Sequence, residues 1–459
     1  MVAVCGTGMG ALALLFREAG VRITGSDVQS YPPMGELLSR AGVEVRLGYS
    51  RDNLPQDAQY VVIGNAVSRD NPEVAEVLAR GILYGSMPVT LARFFLPGRS
   101  PVVVVGTHGK TTSTALLAWL LESAGRSPGF LVGGECKNFP VSSRLGTGPY
   151  FVLEGDEYDS AFFDKEPKFL HYLPQVALFT SLEYDHADIY PDLASLRVAF
   201  QRFVHLLPRN GRLMVCGEYP LALEVSREAS CPVETYGFGE ESDWRGILDL
   251  KEGHDPLLRV IHRGRTIGDF SLPLAGRHNA LNALGCLGVL HRLGVDPQAL
   301  REGLKGFKGV RRRQDVVAEV RGVLIVDDFA HHPTAVRETI RALRLRYPGR
   351  RLVAIFEPRT HTSRRNIFQR EFAEAFAEAD LSICTRVFRE DSVEAENRFS
   401  PELWAEQLRS MGRQGMYFPE TEELIEHLSM TCRSGDLLLF MSSASLYNII
   451  NELKRKLNN

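Results

Sequence analysis

Four consecutive valines, Val102–Val105, run straight into Gly106-Thr107-His108-Gly109-Lys110-Thr111-Thr112 and then into the apolar, helix-forming stretch STALLAWLLESAG. A strand with no polar face must be covered on both sides, as the strands of parallel α/β sheets are. A glycine turn between such a strand and a helix leaves backbone N–H groups and the positive helix end free to hold an anion. The segment therefore predicts a cradle for the phosphates of ATP, with Lys110 on the outer phosphates and the Thr111 hydroxyl in a Mg²⁺ shell. The spacing departs from the usual P-loop, whose first glycine would fall at position 104, a valine here. The plainer alternative is a tight strand-to-helix turn with no ligand.

Alternation of short apolar strands with helices recurs along all 459 residues, a length that predicts about three domains. MVAVCG, GALALLFREAG and VRITGSD read as β-α-β, followed by YVVIGNAV, and this unit closes near Phe95-Leu96-Pro97-Gly98. After the valine strand come FVLEGD, QVALFTSLEYD and GRLMVCG, then a polar stretch of antiparallel character to about residue 275. Near 310 the pattern restarts with GVLIVDDFAHHPTAVRETIRALRLR, LVAIFEPR, LSICTRVF and GDLLLFMSSASLYNIINELKRKL. The reading is α/β in three domains on mainly parallel sheets: a Rossmann-like unit over 1–97, a P-loop ATPase-type unit over 98–309 and a second Rossmann-like unit over 310–459.

A net charge of −3 gives no field that recruits nucleic acid or an anionic membrane, so a small-molecule substrate is expected. No run of about eighteen apolar residues predicts a membrane span. The apolar start lacks a basic n-region and is not read as a signal peptide. Seven scattered cysteines without a C-x-x-C pair fit a reducing compartment, the cytoplasm. A monomer is expected.

Two acidic segments follow candidate strands: Glu154-Gly155-Asp156-Glu157-Tyr158-Asp159 and Glu183-Tyr184-Asp185-His186-Ala187-Asp188. Ligands gather at the carboxyl ends of parallel strands, so both loops can face the phosphate turn. Glu154 offers oxygen to Mg²⁺, and His186, an unusual magnesium ligand, suits a second or mixed site. Each loop alone also reads as solvated acidic surface. In the first unit, Gly6-x-Gly8-x-Gly10 after a strand, with Asp27 ending the next strand about twenty residues on, mimics a dinucleotide fingerprint. On these residues alone an NAD(P)-linked oxidoreductase stays open.

GTHGKTT, EGDEYD and EYDHAD in this order, with GRHNALNA and VDDFAHHPT further on, resemble the Mur ligase family essentially end to end. CGTGMGALA, YPPMGELL, VIGNAVSRDNPEV and the stretch from Glu157 to Leu193 are similar to the branch that attaches a ready-made peptide. The resemblance implies an ATP- and Mg²⁺-dependent ligase joining the lactyl carboxylate of UDP-N-acetylmuramate to the L-Ala amine of L-Ala-γ-D-Glu-meso-diaminopimelate. An acyl phosphate is the expected intermediate, and peptidoglycan recycling the expected setting. It gives Lys110 the β/γ phosphates, Thr111 and Glu154 the first magnesium, His186 a second, and His331 the phosphoryl group. Asn279 and Asn282 match the pair near the adenine, Arg313 an arginine reaching ATP from the third domain, and Asp328 the acid near the ribose. Gly6, Thr7, Gly8, Met9, Gly10, Asp27 and Asn65 fall to the UDP-sugar, whose diphosphate takes the place of a dinucleotide's. Arg359 and Arg364 fall to the incoming peptide.

On the residues alone, Asn279 and Asn282 also suit a helix start, Arg311–Arg313 an exposed linker, and His331-His332-Pro333 the entry to a helix. The loop from Glu357 to Arg365 also reads as an exposed basic helix start. Gln201 stands where several family members carry a carbamylated lysine, and its amide oxygen is expected to hold the magnesium water. Met441–Leu446 lacks the glycine-rich turn expected there, and the chain opens almost inside its first strand, which is expected to weaken the first unit. Two other functions remain: the UDP-N-acetylmuramate–L-alanine ligase of the same family, and a non-catalytic nucleotide-binding regulator.

Overall fold

The valine strand, Ser100–Val105, divides its side chains between two cores. Val102 and Val104 pack with Leu116, Leu117 and Leu120 of helix Lys110–Ser123. Val103 and Val105 pack on the other face with Phe200 and Phe203 of helix Leu193–His205. Two-residue periodicity in a uniformly apolar strand thus serves two helical layers at once. The computed structural model describes residues 1–31 and 34–458, so Pro32 and Pro33 of the YPPMGELL segment lie outside the described residues.

Around this strand runs a ten-stranded sheet. Its middle is parallel: Ser100–Val105 pairs with Val176–Phe179 on one side and Tyr150–Glu154 on the other. The far edge, Trp244–Asp249, Leu257–His262 and Arg265–Ser271, is antiparallel, as the polar stretch predicts. A six-stranded sheet from Asp315 to Met441 is parallel except for its first pair, Asp315–Val320 with Val323–Asp328.

The first unit differs from expectation at its start. The MVAVCG strand shrinks to Val2, which bridges in parallel to both Ser26 and Ile63. Ala3 adopts φ 61°, which interrupts the extended run. Val2 nevertheless joins two small parallel pairs, Thr24–Asp27 with Glu44–Leu47 and Tyr60–Val62 with Leu83–Gly85. Among the described residues, no helix is long and apolar enough to cross a membrane.

Candidate active site

The turn expected to hold phosphates, Gly106–Thr112, is built on two left-handed glycines, Gly106 at φ 129° and Gly109 at φ 80°. A Cβ on Gly106 would collide with Thr180 and come within 2.7 Å of the Ser181 backbone; one on Gly109 would strike the Asn282 amide. Only glycine fits either place. Thr107 N–H donates to the Ser181 carbonyl at 3.1 Å and His108 N–H to Ser181 Oγ at 2.8 Å, tying the turn to the next strand's end. Gly109 caps helix Lys110–Ser123 without any side-chain cap, which leaves the first helical N–H groups free for an anion.

Lys110 Nζ curls back to the Gly106 carbonyl at 2.6 Å and pairs with Glu157 Oε1 at 2.8 Å. The same Oε1 lies 2.7 Å from His186 Nε2, while Glu157 Oε2 is buried without a partner. Glu157 is 1% exposed, so water cannot screen the cluster. Burial alone would push the Glu157 carboxyl up, yet Lys110 and His186 hold it below the usual range. Burial alone would push His186 down, yet Glu157 raises it. Thr111 Oγ1 donates to Glu154 Oε1 at 2.7 Å, and Gly133 N–H to Glu154 Oε2 at 2.8 Å.

The third sheet contributes from across the cleft. Arg313 stacks over Phe329, 4.6 Å from its centroid, and reaches Thr111 Oγ1 at 3.4 Å. Asp328 is 4% exposed and accepts the N–H groups of Gln314 and Ala330, both at 2.7 Å. His331 Nε2 lies 3.5 Å from Asp185 Oδ2. Asn279 donates to the Ala275 carbonyl at 2.8 Å, so it braces its own helix start while also lining the cleft with Asn282. One cavity of 1180 Å³ collects these groups with Gly6, Thr7, Gly8, Met9, Asp27 and Asn65 of the first unit. Asp27 accepts the Cys5 N–H at 2.8 Å and Asn65 donates to Asp159 Oδ1 at 2.7 Å.

Four expected residues stand elsewhere. Gly10 does not line the cavity; a Cβ there would run into the Met34 side chain, so this glycine serves helix packing. Gln201 faces away and donates to Glu228 at 2.6 Å, because helix Leu193–His205 turns Phe200 and Phe203 inward instead. It therefore holds no magnesium water. Arg364 is 5% exposed, donating to Ser392 Oγ at 2.6 Å. Arg359 pairs with Glu357 at 3.3 Å and lies 3.6 Å over the Phe388 ring; neither arginine lines the cavity. Conversely, Glu157 and Asp185 sit inside quoted acidic motifs yet carry no expected role, since a run of acids reads as solvated until its burial is known.

Two histidines at the seam between the second and third sheets, His332 buried and His278 partly buried, hold a pH dependence. Desolvation, reinforced by the nearby His108, lowers His278 to about 4 and His332 to about 3. Both are neutral when folded and take up protons when unfolded below about pH 6.5. Stability is thus complete above pH 6.5 and lost as pH falls toward 4, by roughly 2 kcal/mol per histidine between pH 6.5 and 5. Thermal midpoints measured across that range should show a slope that His332→Gln makes shallower; an unchanged slope contradicts the assignment.

Three family descriptions match in chain order: "Mur ligase family, catalytic domain" over 1–97, "Mur ligase middle domain" over 104–290 and "Mur ligase, glutamate ligase domain" over 312–444. The chain is 36% identical over 454 residues to the UDP-N-acetylmuramate–L-alanyl-γ-D-glutamyl-meso-2,6-diaminoheptandioate ligase of Escherichia coli K12, covering 99% of this chain and 96% of that one. It is 32% identical to the UDP-N-acetylmuramate–L-alanine ligase of Carboxydothermus hydrogenoformans, covering 98% and 94%. The crystal structure of a murein peptide ligase from Psychrobacter arcticus superimposes with a TM-score of 0.74 at 32% identity, covering 100% and 98%. The dinucleotide reading of the first-unit glycines falls with these matches. A glycine cradle between two sheets, an acidic pair beneath it and likeness over the whole length agree: the chain belongs to the Mur ligase family.

Proposed function

We propose that this protein is an ATP-dependent ligase forming the amide between the lactyl carboxylate of UDP-N-acetylmuramate and the L-Ala amine of L-Ala-γ-D-Glu-meso-diaminopimelate, in the cytoplasmic recycling of peptidoglycan. The observation that carries the reading is the single cavity that faces the first-unit turn, the phosphate turn and the third sheet together. The name of the Escherichia coli relative supports the substrate pair, and seven free thiols support a reducing compartment. We take residues 1–97 as the UDP-sugar domain, 98–309 as the ATP domain and 310–459 as the domain that closes over both.

At neutral pH a carboxylate and an amine form a salt, so the carboxylate oxygen must first become a leaving group. In this reading the lactyl carboxylate attacks the γ-phosphorus of ATP, ADP departs, and the peptide amine attacks the acyl carbon, expelling phosphate and losing a proton. Lys110 leaves Glu157 for the phosphoryl oxygens and offsets their growing charge. The free N–H groups at the helix start, Lys110 to Thr112, hold the phosphates in line, so that positioning supplies most of the rate. Third-domain groups such as Arg313 and His331 complete the site and exclude water from the acyl phosphate. The donors suit a hard cation: Thr111 Oγ1, the Glu154 carboxylate and the unpartnered Glu157 Oε2 beside His186. Mg²⁺ held there supplies further charge neutralisation at the phosphoryl oxygens.

A second reading, the L-alanine ligase, draws on the Carboxydothermus relative and on the glycine-free Met441–Leu446 segment. Phosphate release with UDP-N-acetylmuramate and ATP fixed and the amine varied separates the two. The tripeptide should exceed free L-alanine in kcat/KM by at least about a hundredfold, the scale set by buried polar groups that a truncated substrate leaves unpaired. Preference for L-alanine would reverse the assignment.

A further inference from the structure

The loop between strand Arg351–Phe356 and helix Gln369–Phe376 is braced by its own hydrogen bonds. Ser363 Oγ accepts the N–H groups of Arg359 and Thr360, both at 3.0 Å, and Ser363 N–H donates to Thr360 Oγ1 at 3.1 Å. The buried Arg364 ties the loop to Ser392. At its tip Thr362 is 2% exposed and leaves its own domain. Its hydroxyl donates to Asp185 Oδ1 at 2.7 Å and accepts the Ala187 N–H at 3.3 Å.

Asp185 is itself 2% exposed, and its two oxygens are shared between domains. Oδ1 takes the Thr362 hydroxyl and the His186 N–H at 2.7 Å, while Oδ2 faces His331 Nε2 at 3.5 Å. Two separate loops of the third domain thus converge on one carboxylate beside His186. Between these contacts His186 holds φ 58°, a left-handed conformation that a residue with a Cβ keeps only when its surroundings over-determine it. In that conformation its Nε2 meets Glu157, and through Glu157, Lys110.

We infer that Thr362 is a positioning residue: by seating its hydroxyl between Asp185 and Ala187, it couples the third-domain loop to the backbone that aims His186, so the phosphoryl-handling groups are set only when that loop is docked. The inference rests on the proposed ligase reaction for its kinetic consequence, though not for its structural one. Removing the hydroxyl leaves Asp185 Oδ1 and the Ala187 N–H each one partner short in a dry interface, a loss of the size expected for a hydrogen bond to a charged group.

Thr362→Val removes the hydroxyl at nearly constant volume, and Thr362→Ser retains it. Expected for Thr362→Val is a roughly 10- to 100-fold fall in kcat with KM for ATP and UDP-N-acetylmuramate changed less than about threefold, and for Thr362→Ser a rate within about threefold of the parent. Amide exchange with and without ADP gives a readout that needs no turnover. ADP should slow exchange at 183–190 in the parent and the serine variant and not in the valine variant, while protection at 106–112 persists in all three. A valine variant as active as the parent, a serine variant as impaired as valine, or equal protection at 183–190 in all three overturns the inference. Should the parent release no phosphate with any amine while the exchange pattern appears as described, the ligase reading fails and the coupling stands.

Discussion

Lys110→Ala should lower turnover by on the order of a thousandfold while UDP-N-acetylmuramate binds within about threefold of its parent affinity. The cation is mostly buried at the cavity wall, 2.8 Å from Glu157 and 2.6 Å from the Gly106 carbonyl. The other lysines that line the cavity among the described residues are engaged, Lys137 with Asp315 and Lys168 with Asp156. Charge that gathers on the phosphoryl oxygens would then lack its main counter-charge, and the loss falls on kcat. The groups proposed for the UDP-sugar, Gly6–Met9 at a helix start and Asp27 at the end of a strand, stand in the first unit and are expected to keep their contacts. Titration calorimetry with the UDP-sugar beside phosphate-release kinetics checks both halves. Equal loss of binding and turnover would refute the division of labour between the two turns.

Glu157→Gln should cost roughly a hundredfold in kcat, at the upper end for removing an oriented partner of a histidine that, as proposed here, meets the metal. The isosteric amide keeps the volume but takes away the charge that Lys110 and His186 share. With that charge gone, burial dominates at His186 and its pKa falls instead of rising. A histidine-labelled NMR titration should therefore show the His186 resonance titrating at lower pH in the variant. If its titration did not move, Glu157 would not be the group that sets the ring's charge, and the kinetic effect would need another cause.

The strand, the glycine turn and the helix after it were legible because each depends on local chemistry: uninterrupted apolar side chains, two positions that exclude a Cβ, and an uncapped helix start. The interrupted first strand was not, since nothing in MVAVCG announces the left-handed Ala3. Among site groups, Thr111, Glu154 and His186 occupy motif positions and come together in the structure. Glu157 and Asp185 escaped notice because composition cannot distinguish a solvated acid from one held by Lys110 or by Thr362 of a distant loop. Arg364 misled for the converse reason: a basic run reads as surface, yet its guanidinium is enclosed by the Phe388 and Arg389 carbonyls. Gln201 failed on helical phase, a count along the chain saying nothing of which face turns inward.

The valine strand is hydrogen-bonded along both edges and roofed on both faces. Any thermal loosening must therefore begin elsewhere, and this ribbon with its glycine turn should be the last to melt. In the proposed reaction the turn is a fixed anvil, and closure is expected to fall to the flanking units that approach it. Adaptation to heat or cold in this chain would then be written in the seams against that ribbon, leaving the ribbon's own sequence untouched.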